Sequence, residues 1–190
     1  LVVFALLAAF GCASAFILQS EGRLLFSDDH GTFLYRLLLL RDHFPRIPFY
    51  SPLWNGGYDA RDFFATGTLN VLFFTWPFVY FTDLINTYTL TVAWLMFGLV
   101  PAATFVAARL AGLPLGAQCL SSILSLSSGL LWYRWGISYG TLGYIVSASL
   151  LPINLILATK IIFWDSGITR REAALFVIST SLMLCWSLSS

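Results

Sequence analysis

The chain has 190 residues, of which 58% are hydrophobic, 17% are aromatic and 10% are charged, and its formal net charge is +1. Soluble domains carry about 25% charged residues, so this chain has too few to cover the surface of a soluble protein. The composition excludes a soluble globular enzyme, a nucleic-acid-binding protein and a disordered segment. We therefore expect an all-α, polytopic transmembrane helical bundle that forms one domain over 1–190.

Five apolar segments follow one another along the chain and predict transmembrane helices, at 1–18, 87–108, 117–133, 141–163 and about 173–190. A span needs roughly 20 apolar residues, and lipid leaves the backbone only internal hydrogen-bond partners. A cleaved signal peptide is the alternative interpretation of 1–18. The chain begins at Leu1 and ends at Ser190 inside apolar runs, so we interpret it as an N-terminal fragment of a longer protein.

Charge is concentrated in the region between the first two predicted spans. Twelve of the nineteen charged residues and both histidines lie at 20–86, which predicts one large loop. Within it, the aromatic-rich segment 69–81 contains Pro77 and either crosses the membrane or stays at its surface. We favour the second interpretation, because it places the cations at 109, 160, 170 and 171 in the cytoplasm. The loop then lies on the external, periplasmic side of a plasma or inner membrane.

The first half of the loop contains a predicted surface helix. Apolar residues at 33, 37, 40 and 44 fall on one face, and Pro45 ends the helix. Arg36, Arg41 and Asp42 are expected to face water or lipid headgroups, and the helix to lie in the membrane interface beside the first span.

An acidic pair, Asp28 and Asp29, precedes this helix and is followed by His30. One interpretation is helix capping, because carboxylates accept hydrogen bonds from the free amides of a first turn. The other is a general base or metal ligand at the membrane surface. The two are compatible, since one aspartate can cap the helix while its neighbour reacts.

The second half of the loop is rich in proline, glycine and aromatic residues, which excludes a helix there. Its aromatic side chains, which include Trp54 and Tyr58, suit sugar binding and interface anchoring equally well. Asp59, Arg61 and Asp62 form either a phosphate or hydroxyl clamp or a surface salt-bridge cluster.

Together these features resemble the GT-C superfamily of integral membrane glycosyltransferases, over roughly residues 1–165. The matching motifs are the acidic pair at 28–29, FLYR at 33–36, PLWNGGY at 52–58 and ARLAG at 108–112. The resemblance implies a polyprenyl-phosphate-linked sugar donor and a first-loop carboxylate that deprotonates the acceptor hydroxyl. Spacing to Arg36 maps this base best onto Asp29, with Asp28 as the other candidate.

The remaining site residues are expected to bind the donor or acceptor; they are His30, Arg36, Arg46, Trp54, Tyr58, Asp59 and Arg61. The arginines are suited to phosphate because the guanidinium group is planar. The metal requirement is left open, with a divalent cation as one candidate. The expected partners are membrane lipid and the polyprenyl-phosphate sugar, with no nucleic acid.

Two other functions compete with the transferase. A transporter usually carries ionisable groups inside its spans, and no predicted span has a charge at its middle. A non-catalytic scaffold or lipid-binding subunit of the same architecture is left open.

Overall fold

The computed structural model of the chain describes residues 29–43, 71, 80, 83–127, 136, 139–163 and 167–187. Every regular segment among these residues is helical, and the five helices are α1 (His30–His43), α2 (Leu84–Leu110), α3 (Leu115–Ser127), α4 (Leu142–Phe163) and α5 (Arg170–Ser187). The all-α class is confirmed for this part of the chain. The predicted first span at 1–18 and nearly all of the segment 69–81 lie outside the described residues.

Helix α2 covers the second predicted span and extends beyond it at both ends. Asp83 begins the helix as its N-cap, where the side chain accepts a hydrogen bond of 2.9 Å from the amide of Asn86. A π-helical segment, Leu95–Leu99, interrupts the middle of the helix just before Pro101. Proline lacks an amide hydrogen and its ring crowds the preceding turn, so a locally widened turn accommodates it.

The ARLAG turn at 108–112 is the C-terminal cap of α2. Gly112 has a φ of 76°, and the amides of Gly112 and Leu113 donate to the carbonyls of Arg109 (3.0 Å) and Ala108 (3.1 Å). This pair of bonds defines a Schellman motif, which requires a residue with positive φ just past the helix end. The ARLAG motif therefore has a structural role, which is to end α2 and reverse the chain into α3.

The helices form a layered bundle around α2 and α4. Helix α2 contacts α3 and α4, helix α4 contacts α5, and α1 contacts the first half of α2. The core between α2 and α4 is built from large apolar side chains, among them Leu95, Met96, Ile145 and Val146. Phe33 and Leu37 of α1 belong to the same core, so α1 packs against the bundle.

Polar side chains lie inside the bundle, where they link neighbouring helices. The hydroxyl of Ser122 on α3 donates to the carbonyl of Pro101 on α2 at 2.8 Å. Asn154 on α4 accepts hydrogen bonds from the hydroxyls of Ser179 (3.1 Å) and Thr180 (2.7 Å) on α5. The Ser179 hydroxyl also lies 2.7 Å from the Leu175 carbonyl of its own helix, so its single hydrogen is shared between two acceptors.

The outer faces of the helices are apolar. By length and composition α2 and α4 could each cross a membrane, a criterion that the core helix of a soluble protein also meets. Only 44% of the apolar window in α4 is buried inside the chain, and Ile162 and Phe163 are 69% and 75% exposed. The exposed apolar surface of α4 supports membrane association.

Candidate functional site

The candidate site lies where α1 begins, at one end of the bundle. The amide of Asp29 donates a hydrogen bond of 3.1 Å to the carbonyl of Tyr139, in the turn before α4. The next residue, His30, contacts Tyr88 near the start of α2. Three segments far apart in sequence therefore meet here: 29–30, 88 and 139–140. We call this the α1 end of the bundle.

His30 is fully buried at this junction. Its Nδ1 atom and the hydroxyl oxygen of Tyr88 are hydrogen bonded at 2.6 Å. The two rings meet edge to face, with centroids 5.6 Å apart and planes at 87°. Edge-to-face packing is a favoured arrangement of aromatic rings, and burial strengthens the polar contact between them. The sequence predicts substrate binding by His30, whereas the structure gives the side chain a partner inside the protein.

Gly140 provides the space that His30 occupies. Its φ is 73°, and a Cβ atom at this position would lie 2.7 Å from the backbone nitrogen of His30 and 2.9 Å from its Cγ atom. Both the backbone conformation and the close approach require glycine. The turn before α4 thus packs directly against His30, the first residue of α1.

Asp29 is exposed beside this buried junction. Its carbonyl accepts a hydrogen bond of 3.0 Å from the amide of Phe33, which places Asp29 at the N-cap position of α1. The main chain of Asp29 is held on both sides, by Tyr139 and by Phe33. Its carboxylate stands at the positive end of a helix, where an anionic side chain is favoured.

Arg36 differs from its sequence-based prediction, because it is buried rather than facing water or headgroups. It lies one turn after Phe33, and its guanidinium carbon is 5.5 Å from the centroid of that ring. Burial lowers the pKa of Arg36 from 12.5 to about 10, and the negative charge of Asp29 acts in the opposite direction. Arg36 therefore stays protonated at neutral pH and contributes positive potential near Asp29.

The rest of α1 partly follows the predicted amphipathic pattern. Phe33 and Leu37 are buried as expected, and Asp42 is exposed and ion-paired with its neighbour Arg41 at 2.9 Å. The helix begins at His30, one turn earlier than the pattern at 33–44 indicates. In the described residues α1 lies against α2, while the first predicted span, its expected neighbour, is outside them.

The structure brings together only part of the predicted site. Asp29 is the N-cap of α1, and His30 and Arg36 lie in the first two turns of the same helix. Six predicted site residues lie outside the described residues: Asp28, Arg46, Trp54, Tyr58, Asp59 and Arg61. Among the described residues, no group of three histidine, cysteine, aspartate or glutamate side chains is placed to hold a metal ion.

Sequence reasoning missed Tyr88, Tyr139 and Gly140. Tyr88 carries a hydroxyl near the polar start of a predicted span, and Gly140 directly precedes another span; these positions are the only local signals. No protein-family model, curated protein or solved structure matches the chain.

Proposed function

We propose that the chain is part of an integral membrane glycosyltransferase that moves a sugar from a polyprenyl-phosphate donor to an acceptor hydroxyl, with Asp29 as the base. The observation that carries this proposal is the position of Asp29. Its side chain is exposed at the end of a bundle of apolar helices, while its main chain is hydrogen bonded to Tyr139. An accessible carboxylate on a hydrogen-bonded main chain, at the edge of an apolar bundle, suits a substrate anchored in lipid.

The membrane part of the proposal rests on helix surfaces and charge. Exposed leucine, isoleucine, valine and phenylalanine side chains cover the outer faces of α3, α4 and α5. At the end of the bundle opposite Asp29, the described charged residues are Arg109, Lys160, Arg170, Arg171 and Glu172. Because cations favour the cytoplasmic side, we propose that this end is cytoplasmic and that the loop 20–86 is periplasmic.

The proposed reaction is a displacement at the anomeric carbon of the donor sugar, in which two residues at the α1 end take part. The acceptor oxygen attacks the anomeric carbon of the donor sugar, and its proton passes to the Asp29 carboxylate. The bond between that carbon and the phosphate oxygen breaks, and the polyprenyl phosphate leaves with the electron pair. Buried, protonated Arg36 supplies positive potential at this end, which favours the developing phosphate charge.

Replacing the carboxylate tests the proposal. In membranes containing the intact protein, Asp29→Asn should lower transfer from radiolabelled polyprenyl-phosphate hexose or pentose by about 100-fold or more, because a positioned base contributes at least this factor. Asp42→Asn, an exposed aspartate on the same helix, is the matched control and should keep wild-type transfer. Wild-type transfer by Asp29→Asn would refute the role of Asp29. No transfer by the wild-type protein with either donor would favour the non-catalytic scaffold.

A further inference from the structure

We infer that Tyr88 is a positioning residue for Asp29, acting through its hydrogen bond to His30. This inference rests on the proposed function of Asp29, and it adds a residue from α2 to a site otherwise drawn from the loop. Tyr88 is 2% exposed, so its hydroxyl has no surface on which to meet a substrate. Any effect of the hydroxyl on transfer must therefore pass through the protein.

The path from Tyr88 to Asp29 is short. The hydroxyl of Tyr88 holds the His30 ring at 2.6 Å, and the peptide bond joins His30 directly to Asp29. Phe33 and Leu37 place the next turns of α1 in the core. At the start of α1, the contacts include the His30–Tyr88 hydrogen bond, the Asp29–Tyr139 hydrogen bond and the packing of His30 on Gly140.

These contacts act together because they share the same backbone. The Tyr88 hydrogen bond anchors the residue next to Asp29, so we expect its loss to let the start of α1 shift relative to Gly140 and Tyr139. A carboxylate that acts as a base must lie within hydrogen-bond reach of its proton, and displacements of about 1 Å can cost about 100-fold in rate. Loss of the Tyr88 hydroxyl should therefore lower kcat and leave the KM for the donor unchanged.

The first experiment compares two buried hydroxyls of α2. Tyr88→Phe keeps the ring and removes only the hydroxyl that contacts His30. Thr91→Val is the control, because the buried Thr91 hydroxyl bonds to the carbonyl of Thr87 within its own helix. In membranes with the radiolabelled donor that supports wild-type transfer, we expect Tyr88→Phe to lower kcat by about 10- to 100-fold. The KM for the donor should stay within about twofold, and Thr91→Val should match the wild type in both parameters.

A second measurement does not depend on activity. Hydrogen exchange followed by mass spectrometry, on a peptide that begins several residues before Asp29 and covers 29–36, reports whether the Asp29 amide, which donates to Tyr139, becomes less protected. Tyr88→Phe should speed exchange in this peptide, and Thr91→Val should not.

A second pair of variants changes the turn that packs against His30. Gly140→Ala should also speed exchange in the peptide covering 29–36 and lower kcat, because the added Cβ collides with His30. Gly112→Ala is its matched control, since Gly112 also has positive φ but nothing lies within 4 Å of an added Cβ.

The outcomes separate the inference from the function it rests on. Faster exchange with a lower kcat and an unchanged donor KM supports the positioning role. An unchanged kcat in Tyr88→Phe, in a protein whose transfer is abolished by Asp29→Asn, overturns the role of Tyr88 and leaves the proposed function standing. A raised donor KM as the main effect also overturns it, because it would indicate a binding role. Absence of transfer in the wild-type protein overturns the proposed function itself.

Discussion

Where α4 ends and α5 begins, charged side chains are stabilised by hydrogen bonds. Glu172 accepts hydrogen bonds from the amide (2.8 Å) and hydroxyl (2.9 Å) of Thr169, whose hydroxyl accepts in turn from the Glu172 amide at 3.2 Å. This reciprocal pair is a capping box at the start of α5. Lys160 on α4 donates to the same carboxylate at 2.7 Å. The Glu172 carboxylate therefore caps the start of α5 and, through Lys160, links it to the end of α4.

These contacts predict a specific pH dependence. The hydrogen bond from Lys160, followed by those from Thr169, lowers the pKa of Glu172 from 4.5 to about 2. Its stabilising contribution is therefore complete above pH 4.5 and is lost as the pH falls from 4.5 towards 2. Glu172→Gln should lower the free energy of unfolding at pH 7 by up to about 1 kcal/mol, because glutamine keeps the capping-box hydrogen bond but loses the negative charge at the helix start and its pairing with Lys160. It should also flatten the change in stability between pH 4.5 and 2.

Unfolding in mixed detergent micelles, followed by circular dichroism at several pH values, measures both effects. Asp42→Asn is the control, because the Arg41–Asp42 pair lies at the surface and contributes little. If Glu172→Gln kept the wild-type pH dependence below pH 4.5, the predicted linkage would be wrong.

At the scale of helices, Asn154 forms a second polar link between α4 and α5, beside the Lys160–Glu172 ion pair. Its oxygen accepts from Ser179 and Thr180, and its amide nitrogen donates to the Leu150 carbonyl at 3.2 Å and contacts the Met183 sulfur at 3.0 Å. The side chain is 9% exposed and fully engaged within the bundle. These contacts give Asn154 a packing role between the two helices.

Removing this side chain should loosen the α4–α5 pair. Asn154→Ala should lower the free energy of unfolding by about 1 kcal/mol, since hydrogen bonds between membrane helices contribute about 0.6 kcal/mol on average and up to about 1.7. Thr159→Ala is the control on the same helix, because the exposed Thr159 hydroxyl bonds to the Leu155 carbonyl of α4 itself. Equal stability of Asn154→Ala and the wild type in mixed micelles would contradict the prediction.

At the scale of the whole molecule, the bundle has two chemically different ends. The α1 end carries Asp29, Tyr88 and Tyr139, while the reversal at Gly112 and the connection between α4 and α5 lie at the other end. Helices α2 and α4 both begin at the α1 end, so they run in the same direction. If the bundle crosses a membrane as proposed, its two ends face opposite sides.

Cysteine labelling tests this arrangement. In a variant whose three native cysteines are serine, an impermeant maleimide should label Gly31→Cys in intact cells, because Gly31 is exposed and its added Cβ meets no atom within 4 Å. Ser51→Cys in the predicted external loop should also be labelled in intact cells. Ala111→Cys, exposed at the opposite end, should be labelled only after permeabilisation. Labelling of both Gly31→Cys and Ala111→Cys in intact cells would refute the proposed topology.

The sequence by itself determined the helices of the described part, because hydrophobicity and segment length are local properties. The predicted spans at 87–108 and 141–163 correspond to α2 and α4. Only the tertiary structure decided which side chains meet. His30 and Tyr88 are 58 positions apart, and no periodicity relates them. The burial of Arg36 is also a tertiary feature, because its charged type and local pattern predicted exposure.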